Sequence, residues 1–303
     1  MINRVLIRTR VLQVAYAHLH RGELRLATAE QDLLLSLHRT YDLYLFLLQL
    51  IPSLTEFHRE VLEIRKKKHL ATKAERSPNL RLVENRLAAK LASSEKLSSW
   101  YEGFNLRWEE DESLLRHLLR RIEASDIYAR YLQAEESTFE LDRDFWVEIF
   151  HELFATDEEL AEMLEQNSIY WEDDLKCTEK AETEERPASE DEAVEQALAE
   201  ARQAGAYQSL RLENGPVEIV KDFVEKTLRK SEEENAFDQE IRPAFKDEDD
   251  ERFARMLFRQ TLLKYSEQMK LIEPVLSTEW SSERLADIDA LLLNLGLTEF
   301  LYF

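Results

Sequence analysis

The chain is poor in the residues that interrupt regular structure. Its 303 residues include five glycines and six prolines, so few positions favour tight turns or break a helix. Leu, Glu, Ala and Arg are abundant instead, and these are good helix formers. No stretch shows the alternating pattern, bounded by turn residues, that is typical of strands. The composition therefore predicts an all-α protein.

Cysteine and long apolar runs are also scarce. The single cysteine, Cys177, excludes an internal disulfide framework and favours a reducing compartment. The longest strongly apolar run, LYLFLLQLIPSL at 43–54, is too short to span a bilayer. The N-terminus lacks the apolar core and the small-residue cleavage site of a signal peptide. We therefore expect a cytoplasmic protein without membrane association.

Motifs of catalysis and of cofactor or metal binding are missing as well. Five isolated glycines cannot form a phosphate-binding loop or a dinucleotide fingerprint. Glu148 and His151 match half of a carboxylate-bridged di-iron pattern, but no second copy follows, so a surface pair on a helix explains them better. The acidic runs at 182–195 and 247–251 lack the glycine spacing of a calcium loop. The sequence thus predicts a protein that is not an enzyme and uses no cofactor and no metal.

Composition divides the chain into four stretches. Residues 1–135 predict an N-terminal helical subdomain, residues 136–175 a further helical block, and residues 216–303 a C-terminal helical subdomain. Residues 176–215 are acidic, rich in Ala and Glu, and almost free of large apolar side chains. Such a stretch has little to bury, so we expect a partly disordered insertion or linker there.

Two helix boundaries are predicted around Pro52. A proline inside a helix removes a backbone hydrogen bond, so Pro52 should break or kink the helix that begins near residue 28. Ser53 and Glu56 then form a capping-box pattern, which predicts the start of another helix. That helix should end in the basic run Arg65–Lys68.

Charge is distributed unevenly along the chain. Residues 1–90 contain 16 Lys and Arg against 9 Asp and Glu, a net charge of +7. The other 213 residues contain 24 against 53, a net charge of −29, which gives −22 for the whole chain. Such asymmetry points to nucleic acid. Because salt screens charges over about 8–10 Å, a local basic patch can bind RNA even on an acidic protein.

The strongest basic signal lies in the first predicted helix. The sequence NRVLIRTRVLQVAYAHLHRG at 3–22 has four arginines and no acidic residue. At helical spacing, Arg4 and Arg8 share one side of the helix with the apolar Val11, whereas Arg10 points elsewhere. The side of the helix that should be buried therefore becomes cationic towards its N-terminus.

Two interpretations of this helix remain open. In the first, guanidinium groups and free helix N–H groups bind phosphates, with Gln13 and Tyr16 two turns further along. In the second, the arginine stems cover the edge of the core and their charged ends reach water or pair with acids from elsewhere in the chain.

The run Lys66, Lys67 and Lys68 allows two interpretations as well. Basic residues at the C-terminal end of a helix are favoured by the helix dipole, and this explanation is sufficient by itself. A contribution to an RNA-binding surface is the functional alternative.

The end of the chain is also apolar. In the last predicted helix, five residues align as one stripe that should be buried: Leu285, Ile288, Leu292, Leu295 and Tyr302. The chain then stops on Phe-Leu-Tyr-Phe without a polar cap. We expect either that something covers this end or that a last segment is absent.

Read together, two segments resemble the family of the transcription antitermination factor NusB. RTRVLQVAYAHLHRG at 8–22 is similar to the opening helix of the family, which has an Arg-rich start and a Gln-x-x-Tyr motif, here Gln13 and Tyr16. Residues 253–303 look like its second helical subdomain. That segment carries the Trp, Arg and Asp positions of the family at Trp280, Arg284 and Asp287.

The resemblance has two departures. About 230 residues separate the matching segments, an expanded helical middle that looks like long Bacteroidetes-type members and ends in a motif at 168–174. The proline-containing loop and the last helices of the family do not follow Phe303, so the chain looks truncated relative to the family. Part of the RNA site that the family would supply is therefore missing.

What the resemblance implies is an RNA-binding antitermination factor without enzymatic activity. Such a protein binds single-stranded boxA RNA together with the ribosomal protein NusE, in the transcription elongation complex. By position, Arg4 and Arg8 would hold phosphates, Arg10 would be a peripheral cation, and Tyr16 would contact a base or line a groove. The NusE surface would lie on the C-terminal subdomain.

The alternative function is an acidic, all-helical protein-interaction scaffold without RNA binding, and a homodimer is compatible with this composition. One structural observation discriminates between the two. An exposed basic patch made of Arg4, Arg8 and Arg10, with or without the three lysines, favours RNA. Arginines that turn inward onto carboxylates favour the scaffold.

Overall fold

The prediction of an all-α protein is confirmed. The structure, a computed structural model, describes residues 1–20, 25–171, 215–276 and 285–303. Helical turns make up 77% of these residues, and within them the only strand-like feature is an isolated bridge between Ile2 and Phe245. The predicted acidic insertion, apart from Gly215, lies outside the described residues.

Fourteen α-helices are present in the part of the chain that the structure describes. They are α1 (Arg4–His20), α2 (Leu26–Lys66), α3 (Lys73–Arg76), α4 (Arg86–Ala92), α5 (Glu95–Gly103), α6 (Glu112–Glu123), α7 (Asp126–Gln133), α8 (Phe139–Ile149), α9 (Glu158–Asn167), α10 (Pro216–Arg229), α11 (Phe237–Glu240), α12 (Glu248–Leu263), α13 (Tyr265–Ile272) and α14 (Asp287–Tyr302). A π-helical turn at Phe150–Phe154 extends α8, and single 3₁₀ turns occur at Trp108–Glu110, Ile169–Trp171 and Glu273–Val275.

Helix α2 is the centre of the fold. It contacts α1, α4 and α10 most extensively, and its apolar segment 43–54 is buried at nearly every position. A helix that is apolar around its whole circumference is stable in water only when neighbours cover every side. The run that is too short for a membrane is therefore the middle of a core helix.

The prediction of a helix break at Pro52 is wrong. Helix α2 continues through Pro52 as one helix of 41 residues. Ser53 does not cap a new helix, because its hydroxyl donates to the Glu109 carboxylate at 2.7 Å, while the Thr55 hydroxyl donates to the carbonyl of Ile51 at 2.8 Å. An internal proline costs about 3 kcal/mol, and the burial of the surrounding apolar segment offsets that cost.

An aromatic cluster joins the segment 168–171 to this core. The ring of Phe46 stacks on Trp108 at 4.0 Å and on Trp171 at 5.6 Å between ring centroids. Each indole N–H donates to a carbonyl of α2: Trp108 to Phe46 at 2.9 Å and Trp171 to Arg39 at 2.8 Å. Because both indole N–H groups have partners, the aromatic rings can be fully buried.

The core also runs across the subdomain boundaries that composition suggests. One connected set of buried apolar side chains includes Leu6 of α1, Trp146 of α8, Val220 of α10 and Leu291 of α14. Helix α1 packs on α2, on α12 and on α14, so the basic N-terminal helix lies against the last helices of the chain. This arrangement determines what its arginines can contact.

Candidate functional site

Arg4 and Arg8 lie side by side at the start of α1 and face α12 and α14. Their guanidinium carbons are 4.7 Å and 5.9 Å from the ring centroid of Phe253 in α12. The Arg4 Nε is 3.6 Å from the Asp250 carboxylate, and the Arg4 side chain is 56% exposed. The shared side of the helix that the sequence predicts is thus present, but it meets an aromatic ring and an acid.

Arg8 forms the strongest ion pair of this cluster. Its Nε donates to Glu299 Oε2 of α14 at 2.7 Å, and its Nη2 donates to Oε1 of the same carboxylate. The hydrogen bonds from Arg8 lower the pKa of Glu299, and those to Glu299 raise the pKa of Arg8. A two-point contact of this kind fixes both side chains and neutralises the guanidinium charge.

The expectation that Arg10 is a peripheral cation is wrong, because this side chain is 3% exposed. Its Nε and Nη2 donate to the Thr40 hydroxyl at 3.2 Å and 3.0 Å, and its Nη1 donates to Gln13 Oε1 at 3.0 Å. The Nη2 also donates to the carbonyl of Tyr170. Arg10 therefore joins α1 to α2 and to the segment that carries Trp171.

Gln13 and Tyr16 take part in the same packing. The amide oxygen of Gln13 accepts a hydrogen bond from Arg10, and Tyr16 is half-buried against the hydrophobic core. Neither side chain is arranged as an open surface on which a base could stack. Of the two interpretations of α1, pairing with acids from elsewhere in the chain matches the observed contacts.

The three lysines lie at the opposite end of α2, in what we call the basic tip, residues 65–76. This stretch contains six Lys and Arg and one acidic residue, a net charge of +5. Lys66, Lys67 and Lys68 are all exposed. Lys66 is 3.8 Å from Glu63 and Lys68 is 2.9 Å from Glu75, and exposed pairs of this kind contribute little.

The arginines of α1 and the basic tip do not form one surface. Arg10 bonds to Thr40, which places that part of α1 beside the middle of α2. Lys66 lies 26 residues further along the same helix. At 1.5 Å per residue, this corresponds to about 39 Å. A continuous patch containing both groups of cations is therefore not formed.

A different surface stands out on α14, which exposes large apolar side chains. Leu292 and Leu293 are 47% and 43% exposed, and Phe300 is 84% exposed. We call these three residues, with Gly296 between them, the outer face of α14. Contiguous exposed apolar surface on a protein is a common mark of an interaction site.

The side of α14 that faces α13 is partly polar. Asn294 and Thr298 are fully buried there beside Gln268, which is 2% exposed. The Thr298 hydroxyl donates to Gln268 Oε1 at 2.8 Å, and Asn294 Nδ2 donates to the Tyr265 carbonyl at 3.3 Å. Gln268 Nε2 and Asn294 Oδ1 have no hydrogen-bond partner among the described residues. Helix α14 thus buries amide and hydroxyl groups while it exposes leucine and phenylalanine.

The remaining candidates from the sequence are placed as follows. Glu148 pairs with Arg130 at 2.7 Å and His151 with Glu225 at 3.0 Å, so the half-pattern of a di-iron site is divided between two ion pairs. Across residues 1–20, 25–171, 215–276 and 285–303, no group of three or more His, Cys, Asp or Glu is arranged to hold a metal ion. Three residues lie outside the described residues: Cys177, Trp280 and Arg284.

Membrane insertion has no candidate segment among the helices that are described, because none of them is both long and apolar enough to cross a bilayer.

Comparison with known proteins gives no relative from which a role could be transferred. No family model, no curated protein and no solved structure matches this chain. The resemblance to the NusB family accordingly stays a prediction from the residues, and the arguments that follow rest on the contacts described above.

Proposed function

We propose that this chain is a protein-binding module without enzymatic activity, and that it engages its partner through the outer face of α14. The observation that carries the proposal is the inverted polarity of this helix, in which Asn294 and Thr298 are buried and Phe300 is 84% exposed. Burial of polar groups is costly unless they are hydrogen-bonded, and exposed aromatic rings gain most from being covered.

The size of the exposed side chains suits a binding hot spot. Covering one Leu or Phe side chain contributes about 1.5–3 kcal/mol, so Leu292, Leu293 and Phe300 together can anchor a partner. Binding energy in protein interfaces is concentrated in a few such residues, and aromatic residues are prominent among them. The charge distribution agrees with a protein ligand, since the arginines that would attract RNA at α1 are paired with Asp250 and Glu299.

Site-specific photo-crosslinking in the cells that make the protein tests this function. A benzophenone amino acid at position 300 should give a discrete protein adduct, and the same group at position 70 is the matched control, since Leu70 is 86% exposed at the other end of the molecule. The substitution Leu293→Ser should remove the adduct at 300. Equal labelling at both positions, or none at 300, would refute the proposal.

A second candidate function is RNA binding, and the observation that favours it is the net charge of +5 in the basic tip. In this version the lysines at 66–68, rather than the arginines of α1, hold the phosphates. The resemblance to NusB supplies the partners: single-stranded boxA RNA, the ribosomal protein NusE and the elongation complex. The cytoplasmic location that the single cysteine suggests belongs to this proposal as well.

Salt titration of single-stranded RNA binding tests the second function. Three phosphate contacts lower log affinity by about 2 per tenfold rise in salt. The triple variant Lys66→Gln/Lys67→Gln/Lys68→Gln should abolish this slope, and Arg4→Ala/Arg8→Ala should leave it unchanged. If the arginine variant alone flattens the slope, the RNA site lies on α1. If the wild-type chain shows no affinity at low salt, RNA binding is ruled out.

A further inference from the structure

Gly296 lies at the centre of the outer face of α14, in the interior of the helix. Leu292 and Phe300 stand one turn before it and one turn after it on the same side. A glycine in a helix interior is destabilising relative to alanine. A Cβ atom built at Gly296 would meet nothing within 4 Å. The described chain therefore gives no internal reason for a glycine here.

A glycine at an exposed and apolar position allows another backbone to come close. Gly296 leaves a notch between Leu292 and Phe300, and small residues at a helix crossing let two helices approach closely. We propose, on the basis of the function proposed above, that a basic amphipathic helix of a partner protein crosses α14 at Gly296. The two larger side chains then pack on either side of the crossing point.

The charge of α14 determines the chemistry of that partner. The helix carries three acidic residues, Asp287, Asp289 and Glu299, and no basic one. Glu299 is bonded to Arg8, so the acids nearest to an incoming helix are the two at the N-terminal end. A partner helix should therefore carry Lys or Arg at the end that lies beside Asp287 and Asp289. Opposite charges at the rim of an interface favour association and suppress wrong partners.

A second copy of this chain is the less favourable occupant. If two copies of α14 met in parallel at Gly296, each Asp289 would approach the other Asp289. In an antiparallel pair, each Asp289 would approach the C-terminal half of the other helix, where the helix dipole is negative. Each chain also brings a net charge of −22.

The length of the outer face sets the size of the recognised segment. Leu292 and Phe300 are eight residues apart, about 12 Å along the helix axis. A partner helix of three to four turns covers this distance. We expect apolar residues at positions i, i+3 or i+4, and i+7, with a small residue at the crossing point.

The test uses the full chain and two fluorescein-labelled model helices of the same length. Both have the same Leu and Ala face, and one has Lys where the other has Glu. By fluorescence anisotropy at low salt, the Lys helix should bind at least tenfold more tightly than the Glu helix, and the difference should shrink as salt is added. Equal binding of both, or no binding of either, would overturn the proposal.

Substitutions at Gly296 give a second readout with opposite signs. Gly296→Ala should raise the melting temperature by about 2 °C, because alanine is the better helix former, and it should weaken binding of the Lys helix several-fold. Gly296→Leu should weaken binding at least tenfold. Gly103→Ala is the matched control, since a Cβ there also meets nothing within 4 Å, and it should leave binding unchanged.

Each remaining outcome separates this inference from the proposed function. If Gly296→Leu leaves peptide binding unchanged while Leu293→Ser still removes the photo-adduct, the crossing helix is wrong and the protein-binding function stands. If position 300 gives no adduct, both are wrong. A dimer in sedimentation that Gly296→Leu dissociates would show a second copy as the occupant and would overturn the choice of a basic partner.

Discussion

The two basic regions of this molecule differ in where their counter-charges come from. Arg4 and Arg8 of α1 meet Asp250 and Glu299, which lie more than 240 residues away in the chain. In the basic tip the acids are local and outnumbered, one against six, so most of the positive charge stays in solvent. An acid-free stretch of sequence therefore does not predict a basic surface, because tertiary neighbours can supply the acids.

The type of cation also differs between the two regions. Helix α1 uses arginine, whose planar guanidinium can bond a carboxylate at two points and stack on Phe253 at the same time. The tip uses lysine, whose compact and strongly hydrated ammonium group is at little cost in water. The arginines are therefore suited to hold helices together, and the lysines to remain available.

The largest effect that this comparison predicts is at Arg10. Replacing Arg10 by Met removes hydrogen bonds to Thr40, Gln13 and the Tyr170 carbonyl and leaves buried acceptors unsatisfied. We expect the free energy of unfolding to fall by about 2–4 kcal/mol, measured by urea denaturation. Lys67→Met is the control at the other cationic region. A loss below about 0.5 kcal/mol for Arg10→Met would show that this side chain does not hold α1 in place.

The next largest effect concerns the ion pair between Arg8 and Glu299. Arg8→Met should destabilise the fold by about 1 kcal/mol, a modest value because the two side chains are 38% and 27% exposed. A double-mutant cycle with Glu299→Gln isolates the pair. A coupling energy near zero would mean that the contact does not join α1 to α14 in solution.

The same pair has a defined pH dependence. Since Arg8 lowers the pKa of Glu299 below its ordinary value of 4.5, the stabilisation is complete above pH 4.5 and disappears as the pH falls through the folded-state pKa. The difference in unfolding free energy between wild type and Glu299→Gln should therefore shrink on acidification below pH 4.5. A constant difference down to pH 2 would contradict the assignment.

Most of the fold could be predicted from the sequence because helix formation is largely local. The scarcity of glycine and proline predicts an all-α chain, and the first helix, expected near residues 3–20, is observed at Arg4–His20. The prediction failed at Pro52, where local rules favour a break. There the burial of residues 43–54 in the middle of the molecule outweighs the local cost of the proline.

The site could be predicted only in part, because its contacts are non-local. Helical spacing correctly places Arg4 and Arg8 on one side of α1, but the sequence does not reveal Glu299 as their neighbour. The stripe predicted for the last helix combines two faces, since Leu295 is buried and Leu292 is exposed. An available signal was overlooked: apolar residues surround this helix completely, so its pattern does not define one buried side.

A smaller effect is expected at Arg4. Its Nε is 3.6 Å from the Asp250 carboxylate and its guanidinium lies over Phe253, but the side chain is 56% exposed. Arg4→Ala should therefore cost about 0.5 kcal/mol, and high salt should remove the part due to the ion pair. The matched measurement is Arg4→Gln with Asp250→Asn at two salt concentrations. A loss as large as that of Arg8→Met would place Arg4 in the structural contact rather than at its edge.

The smallest effect is expected in the basic tip. Lys67→Gln should change the free energy of unfolding by less than about 0.5 kcal/mol in either direction, because the side chain is exposed at the C-terminal end of α2. This expectation is what separates an available cation from a structural one. Lys67→Gln then serves as the folding control for the salt titration with RNA. A loss above 1 kcal/mol would show that the tip, like α1, uses its charge to hold the fold together.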